Sequence, residues 1–233
     1  MPIAAKADVQ AAARRMMVDC QLRTYDITNH ALLAAFDTVP REAFVAPACD
    51  ALAYADRDLP SRGNTQRAIL APMILARMIQ ALNAGAGAKI LDVAGGAGYG
   101  TAILAATGAH VTALESDWLP GDSTALAQAI LAQAILAQAS GGTLARVSGK
   151  LDQGHAAGAP YDAILVHGAM AREPSALLVQ LREGGRLVCG WQVGETTRIV
   201  CFERFGAAFK KLPLFDARVP ALAEFAAVPA FVF

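Results

Sequence analysis

Lys89-Ile90-Leu91-Asp92-Val93-Ala94-Gly95-Gly96-Ala97-Gly98-Tyr99-Gly100 passes from a short apolar run into a glycine-rich turn, and Thr101 to Ala106 then resume a helical pattern. Strand, glycine turn and helix in that order make the opening unit of a nucleotide-binding α/β sheet. Glycines at the turn let the backbone approach a ligand and let the helix pack closely on the strand. The next apolar run, His110 to Glu115, ends on a carboxylate placed where it can accept both hydroxyls of a nucleotide ribose. Asp92 precedes the loop, where a carboxylate repels a pyrophosphate but can meet the ammonium end of S-adenosyl-L-methionine, directly or through water. A dinucleotide fingerprint counted from Gly96 wants glycine where Thr101 stands. Asp92, Gly95, Gly96, Gly98 and Glu115 therefore predict S-adenosyl-L-methionine, with S-adenosyl-L-homocysteine as its product, over a nicotinamide dinucleotide. The plain alternative is an ordinary strand-to-helix turn.

Outward from this unit, apolar runs at Leu144 to Ser148, Tyr161 to His167 and Arg186 to Trp191 alternate with helical stretches, which implies a parallel sheet. Thr197 to Arg204 and Phe209 to Phe215 are separated only by Phe205-Gly206-Ala207-Ala208, too short for a crossover helix, so they should pair antiparallel. Upstream, Leu32, Leu33 and Phe36 fall at helical spacing behind a Thr28 cap and ahead of Pro40. Asp58 to Asn64 has turn composition, and Met73 to Leu82 reads as a second helix. The expected fold is α/β and Rossmann-like: a mostly parallel sheet with a C-terminal antiparallel strand pair and an N-terminal helical layer. One domain over 1–233 is expected, with the layer at 1–83 and the core with its C-terminal strands at 84–233. Ala125 to Ala139 repeats Ala-Gln-Ala-Ile-Leu every five residues, which spreads Gln128, Gln133 and Gln138 round a helix instead of along one face. That pattern predicts cover on two sides, in one version by a second copy in a homodimer.

Composition narrows the function. Lys plus Arg and Asp plus Glu number 20 each, so no net field recruits nucleic acid or an anionic membrane. Cys20, Cys49, Cys189 and Cys201 are scattered without a metal-ligand or disulfide pattern, and His30, His110 and His155 add no ligand spacing, so no metal is expected. The N-terminus carries Lys6, Asp8 and an Arg pair where a secretory signal would be apolar, and no apolar run reaches membrane-spanning length. A cytoplasmic protein is the expectation.

Several stretches resemble the protein-L-isoaspartate O-methyltransferase family, and the similarity runs over nearly the whole chain. They are Gln21-Leu22-Arg23, Val39-Pro40-Arg41-Glu42-Ala43-Phe44-Val45, Ala53-Tyr54-Ala55-Asp56, Leu91 to Tyr99, Ala159-Pro160-Tyr161-Asp162-Ala163-Ile164-Leu165-Val166, and Gln180 to Val188. The resemblance implies methyl transfer from S-adenosyl-L-methionine to the free carboxylate of isoaspartyl residues in damaged proteins. It also places Tyr54 and Asp56 beside the substrate groove. Where family members carry Thr-Ile-Ser-Gln-Pro, this chain reads Ala68-Ile69-Leu70-Ala71-Pro72, so Leu70 replaces the serine at the substrate carboxylate. Leucine can neither donate to a carboxylate nor orient it, which predicts an altered acceptor. Ala94 takes the place of the first loop glycine. Lys150 replaces an aspartate that in the family reaches the adenine amino group, and Asp152 stands close enough to substitute for it.

His167 ends the fourth parallel run, on the side where ligands lie in open α/β sheets, and is the candidate general base on a hydroxyl, thiol or amine. Its bland alternative is a packing histidine, as Trp118 and Trp191 are expected to be packing residues. Two functions follow. One is a methyltransferase acting on a protein, peptide or small-molecule acceptor. The other is a catalytically weak or inactive S-adenosyl-L-methionine-binding protein of the same fold.

Overall fold

The computed structural model describes residues 3–116 and 141–227. The Ala-rich stretch 125–139 and Trp118 lie outside the described residues, and with them the expected two-sided cover.

A seven-stranded sheet runs in the order β5-β4-β3-β6-β7-β8-β9. Its strands are β3 (Lys89–Val93), β4 (His110–Glu115), β5 (Thr143–Ser148), β6 (Tyr161–Met170), β7 (Leu181–Val193), β8 (Thr196–Phe205) and β9 (Ala208–Asp216). β3 to β7 pair in parallel, and β8 joins β7, and β9 joins β8, antiparallel, as the short connections require. The chain thus has the Rossmann-like methyltransferase fold. The central strand β3 is almost wholly buried, whereas the edge strand β9 keeps every stretch at least partly exposed. Side chains alternate between two cores: Ile90, Leu165 and Val188 face one, and Leu91, Ile164 and Leu187 the other.

The first core is closed by α1 (Ile3–Met17), α2 (His30–Thr38), α3 (Pro72–Leu82) and α4 (Tyr99–Ala106). The cap of α2 is Asn29, not Thr28: Asn29 Oδ1 accepts from Leu32 N at 3.0 Å, while the Thr28 amide donates to Gln80 Oε1. The N-terminal layer is also not purely helical. The predicted turn at 58–64 belongs to a hairpin of β1 (Leu59–Ser61) and β2 (Asn64–Ile69), with the turn proper at Arg62-Gly63. The second core is covered by the short helix α5 (Ser175–Leu178) and by a C-terminal segment. That segment runs along β6, with Ala169 N donating to Pro220 O and Leu222 N to Ala169 O, and ends in a 3-10 turn at Ala223–Phe225. Among the described residues no helix is long and apolar enough to cross a membrane.

Candidate active site

The carboxyl ends of β3 and β4 bring Asp92 and Glu115 to the glycine loop, and His167 joins them from an irregular stretch of β6, which runs on to Met170 instead of ending at His167 as the sequence suggested. Ala94 and Gly96 adopt φ of +62° and +60°, and Gly98 caps α4 at φ +91°. A Cβ on Gly96 would stand 2.6 Å from Ser61 Oγ, and a Cβ on Gly100 would run into the His167 ring. The loop glycines are thus required by the neighbouring side chains of β1 and β6 as well as by the turn.

Asp92 is sealed beneath the loop. Its Oδ1 lies 2.6 Å from His167 Nε2, and its Oδ2 accepts from Thr101 Oγ1 at 2.5 Å. The His167 side chain is only 3% exposed. Burial works against the imidazolium, but the Asp92 charge and hydrogen bond, aided by Glu115, outweigh it, so the His167 pKa is raised. The hydrogen-bond partner of this buried histidine is thus a carboxylate.

Glu115 is buried too but differently held. Oε1 accepts from Gly96 N at 2.7 Å, and Oε2 lies 3.3 Å from Arg67 Nε. Burial raises the Glu115 pKa, while the Gly96 amide, Arg67 and His167 oppose that rise. Arg67 reaches down from β2, and its Nη2 meets Glu224 Oε1 at 2.7 Å in the C-terminal turn. The next loop amide, Ala97 N, donates to Ser61 Oγ at 2.7 Å. Asp152, on the far side of the sheet end, pairs with Arg172 at 2.8 Å, and that hydrogen bond holds its carboxyl below the usual range. Arg172 also donates to Glu224 O at 2.9 Å, so Asp152 and Glu115 are joined through one C-terminal residue.

The residues expected at the substrate groove sit in structural roles. Tyr54 donates to Glu42 Oε2, and its pKa is raised by burial and by that carboxylate. Asp56 Oδ1 accepts from Met73 N at 3.0 Å and Asp58 Oδ1 from Ala71 N at 2.7 Å, so the two carboxylates satisfy the first amides of α3. Leu70 is fully buried. Arg41, also fully buried, donates to the carbonyls of Ala53, Arg57 and Leu70 at 2.6, 3.1 and 3.0 Å, which ties the segment 53–57 to Leu70.

Arg67, Ser61 and Glu224 were not picked out as site residues in the sequence, and Thr101 was read only as a departure from the dinucleotide fingerprint. Thr101 could have been found, since a hydroxyl one turn into the helix after the loop lies over the preceding strand end. Arg67 and Glu224 are 157 positions apart and carry no local signal.

Residues 13–211 match the family model described as Protein-L-isoaspartate(D-aspartate) O-methyltransferase (PCMT). The chain is 37% identical over 188 residues to protein-L-isoaspartate O-methyltransferase 1 of Rhodopseudomonas palustris (strain HaA2), covering 80% of this chain and 72% of that one. It is 42% identical over 182 residues to the protein-L-isoaspartate O-methyltransferase of Methylorubrum extorquens (strain PA1), covering 77% and 74%. Its fold matches the crystal structure of a Plasmodium falciparum protein of that description in complex with S-adenosyl-L-homocysteine, at a TM-score of 0.73 and 19% identity, over 91% of this chain and 98% of that one. Parallel sheet, glycine loop with its two carboxylates, and this likeness over most of its length together show that the chain belongs to the protein-L-isoaspartate O-methyltransferase family, a family of S-adenosyl-L-methionine-dependent methyltransferases.

Proposed function

We propose that this protein, as one cytoplasmic domain, transfers a methyl group from S-adenosyl-L-methionine to a protein, peptide or small-molecule acceptor other than the isoaspartyl carboxylate that its relatives' names indicate. The observation that carries the altered acceptor is Leu70. It replaces a hydroxyl with a side chain wholly inside the core, and its carbonyl is held by Arg41. Nothing in Ala68-Ile69-Leu70-Ala71 can donate a side-chain hydrogen bond to a carboxylate.

The methyl donor suits the residues present. A cationic sulfonium and ammonium favour a site whose strand ends carry Asp92 and Glu115, and the loop Ala94 to Gly98 admits close backbone approach. Glu115 would receive the ribose hydroxyls, Asp92 would supply negative charge beneath the ammonium end, and Asp152 would lie on the adenine side. When bound, the donor supplies an electrophilic methyl group. His167 presents Nε2 to Asp92, so a proton leaving the acceptor would be received at Nδ1. Its raised pKa makes this base more effective as pH rises.

The second reading, binding without turnover, is favoured by the burial of His167, whose side chain is 3% exposed and whose Nε2 is committed to Asp92, and by the loss of a hydroxyl at Leu70. Calorimetric titration with S-adenosyl-L-methionine and S-adenosyl-L-homocysteine tests the cofactor site, and methyl transfer to an isoaspartyl peptide tests the altered acceptor. We expect binding, with the isoaspartyl peptide methylated poorly or not at all. Robust turnover on that peptide defeats the altered acceptor, and absence of binding defeats the cofactor site.

A further inference from the structure

We propose that Arg67, held in place by Glu224, is a positioning residue that fixes the Glu115 carboxylate to receive the ribose hydroxyls of the bound methyl donor. The inference rests on the placement of the ribose at Glu115 given above, and it extends that site to two residues from the opposite ends of the chain.

An ionised carboxylate offers about four acceptor positions on its two oxygens. In Glu115 each oxygen has one anchor, Gly96 N at 2.7 Å on Oε1 and Arg67 Nε at 3.3 Å on Oε2. Among the described residues neither oxygen has a second hydrogen-bond partner, which leaves one acceptor position on each for a vicinal diol. The backbone anchor is set by the turn, but the other is a long side chain with about 2 kcal/mol of rotamer entropy to lose. Glu224 restrains it: its Oε1 lies 2.7 Å from Arg67 Nη2, the short distance of a charge-assisted pair. Glu224 is itself pinned. Phe225 beside it is fully buried, Ala171 N donates to Phe225 O at 2.9 Å, and Arg172 donates to Glu224 O at 2.9 Å. Arg67 also lies directly against the glycine loop, since a Cβ on Gly96 would come within 3.1 Å of Arg67 Cβ.

The same geometry bears on charge. Glu115 is faced by Arg67 from β2 and by His167 from β6, whose partner Asp92 comes from β3, and Glu224 stands beyond Arg67. Removing the guanidinium takes away the cation bonded to Glu115 while leaving its burial intact. The carboxylate should then gain a proton at a higher pH, and a protonated carboxyl accepts a diol poorly.

The test is calorimetric affinity for S-adenosyl-L-homocysteine between about pH 5 and pH 8.5, for wild type, Arg67→Met, Arg67→Lys and Glu224→Gln. Arg67→Met should bind about tenfold or more weakly at neutral pH, and its acid-side loss of affinity should begin at higher pH than in wild type. Arg67→Lys should restore the wild-type pH profile and most of the affinity, with Glu224→Gln intermediate. If Arg67→Met does not fold by circular dichroism, Glu224→Gln and Arg67→Lys carry the same comparison. Unchanged affinity in the folded variants overturns the proposal. So does a uniform loss with the pH profile unmoved, which marks a purely structural role. Failure of the underlying reading looks different: wild type itself would not bind, or Glu115→Ala would bind as well as wild type.

Discussion

Asp92 and Glu115 end neighbouring parallel strands, both are almost completely buried, and both carry a partner of opposite sign, yet they are neutralised in opposite ways. Asp92 faces inward, to a histidine and a threonine sealed in with it. Glu115 is held by a backbone amide and by a guanidinium that is itself 11% exposed and shared with a glutamate that is 29% exposed. Burial therefore does not distinguish one carboxylate from the other. The origin of the counter-charge does. Asp92 is paired with a partner as buried as itself, whereas the partner of Glu115 comes from a hairpin, is partly exposed and is shared with a second carboxylate.

The sharpest way to break this comparison is to delete the two carboxylates in turn. Asp92→Ala leaves His167 buried opposite nothing, and breaking a buried pair from one side costs about 3–5 kcal/mol; urea unfolding at neutral pH should show a loss of that size. Glu115→Ala should cost less stability, because Arg67 keeps Glu224 and its partial exposure. It should instead weaken S-adenosyl-L-methionine binding by about 1.5–3 kcal/mol, the range for hydrogen bonds to a charged group. The distinction fails if both variants lose stability equally and neither loses affinity.

What the sequence could reveal follows the same division. Lys89 to Glu115 is a local pattern, and strand, turn, helix and both carboxylates are read directly from it, as are the antiparallel β8 and β9 from their four-residue link. The hairpin of β1 and β2 was hidden because Pro60, Gly63 and Asn64 give it turn composition, and its short strands form a two-stranded sheet apart from the main one. The Asn29 cap was missed by one position, the usual ambiguity when two capping residues stand side by side. The counter-charges were beyond reach. His167 was read as pointing to the ligand, but its attachment to Asp92 depends on β3 and β6 being neighbours. Arg67 and Glu224 depend on a hairpin and a C-terminal turn meeting over a third element.

A smaller effect concerns pH. The folded-state pKa of His167 is raised above its unfolded value, so the folded state keeps a proton that the unfolded chain has released. The contribution is fully present below about pH 6.5, the ordinary histidine value, and declines as pH rises through the folded pKa. Unfolding free energy measured across that window should fall in wild type and be flatter in His167→Asn. A wild-type profile that rises with pH there would mean that burial, not Asp92, governs the imidazole.

The smallest effect is expected between the two carboxylates, at Ala94. Its φ of +62° lies in the left-handed region that side chains other than glycine seldom adopt, and its amide donates to Leu114 O at 3.1 Å, so the backbone there cannot relax without losing a bond next to Glu115. Ala94→Gly relieves roughly 1–2 kcal/mol of strain. Against that stand about 0.5–1 kcal/mol of added chain entropy in the unfolded state and up to about 0.8 kcal/mol for a buried methyl group. The three nearly cancel, so stability should move by less than about 1 kcal/mol in either direction. Neither Asp92 nor Glu115 loses a partner, so affinity for S-adenosyl-L-homocysteine should be retained. An affinity loss as large as that of Glu115→Ala would mean that the loop methyl itself touches the ligand, and the division between an inward and an outward carboxylate would then need the loop as a third party.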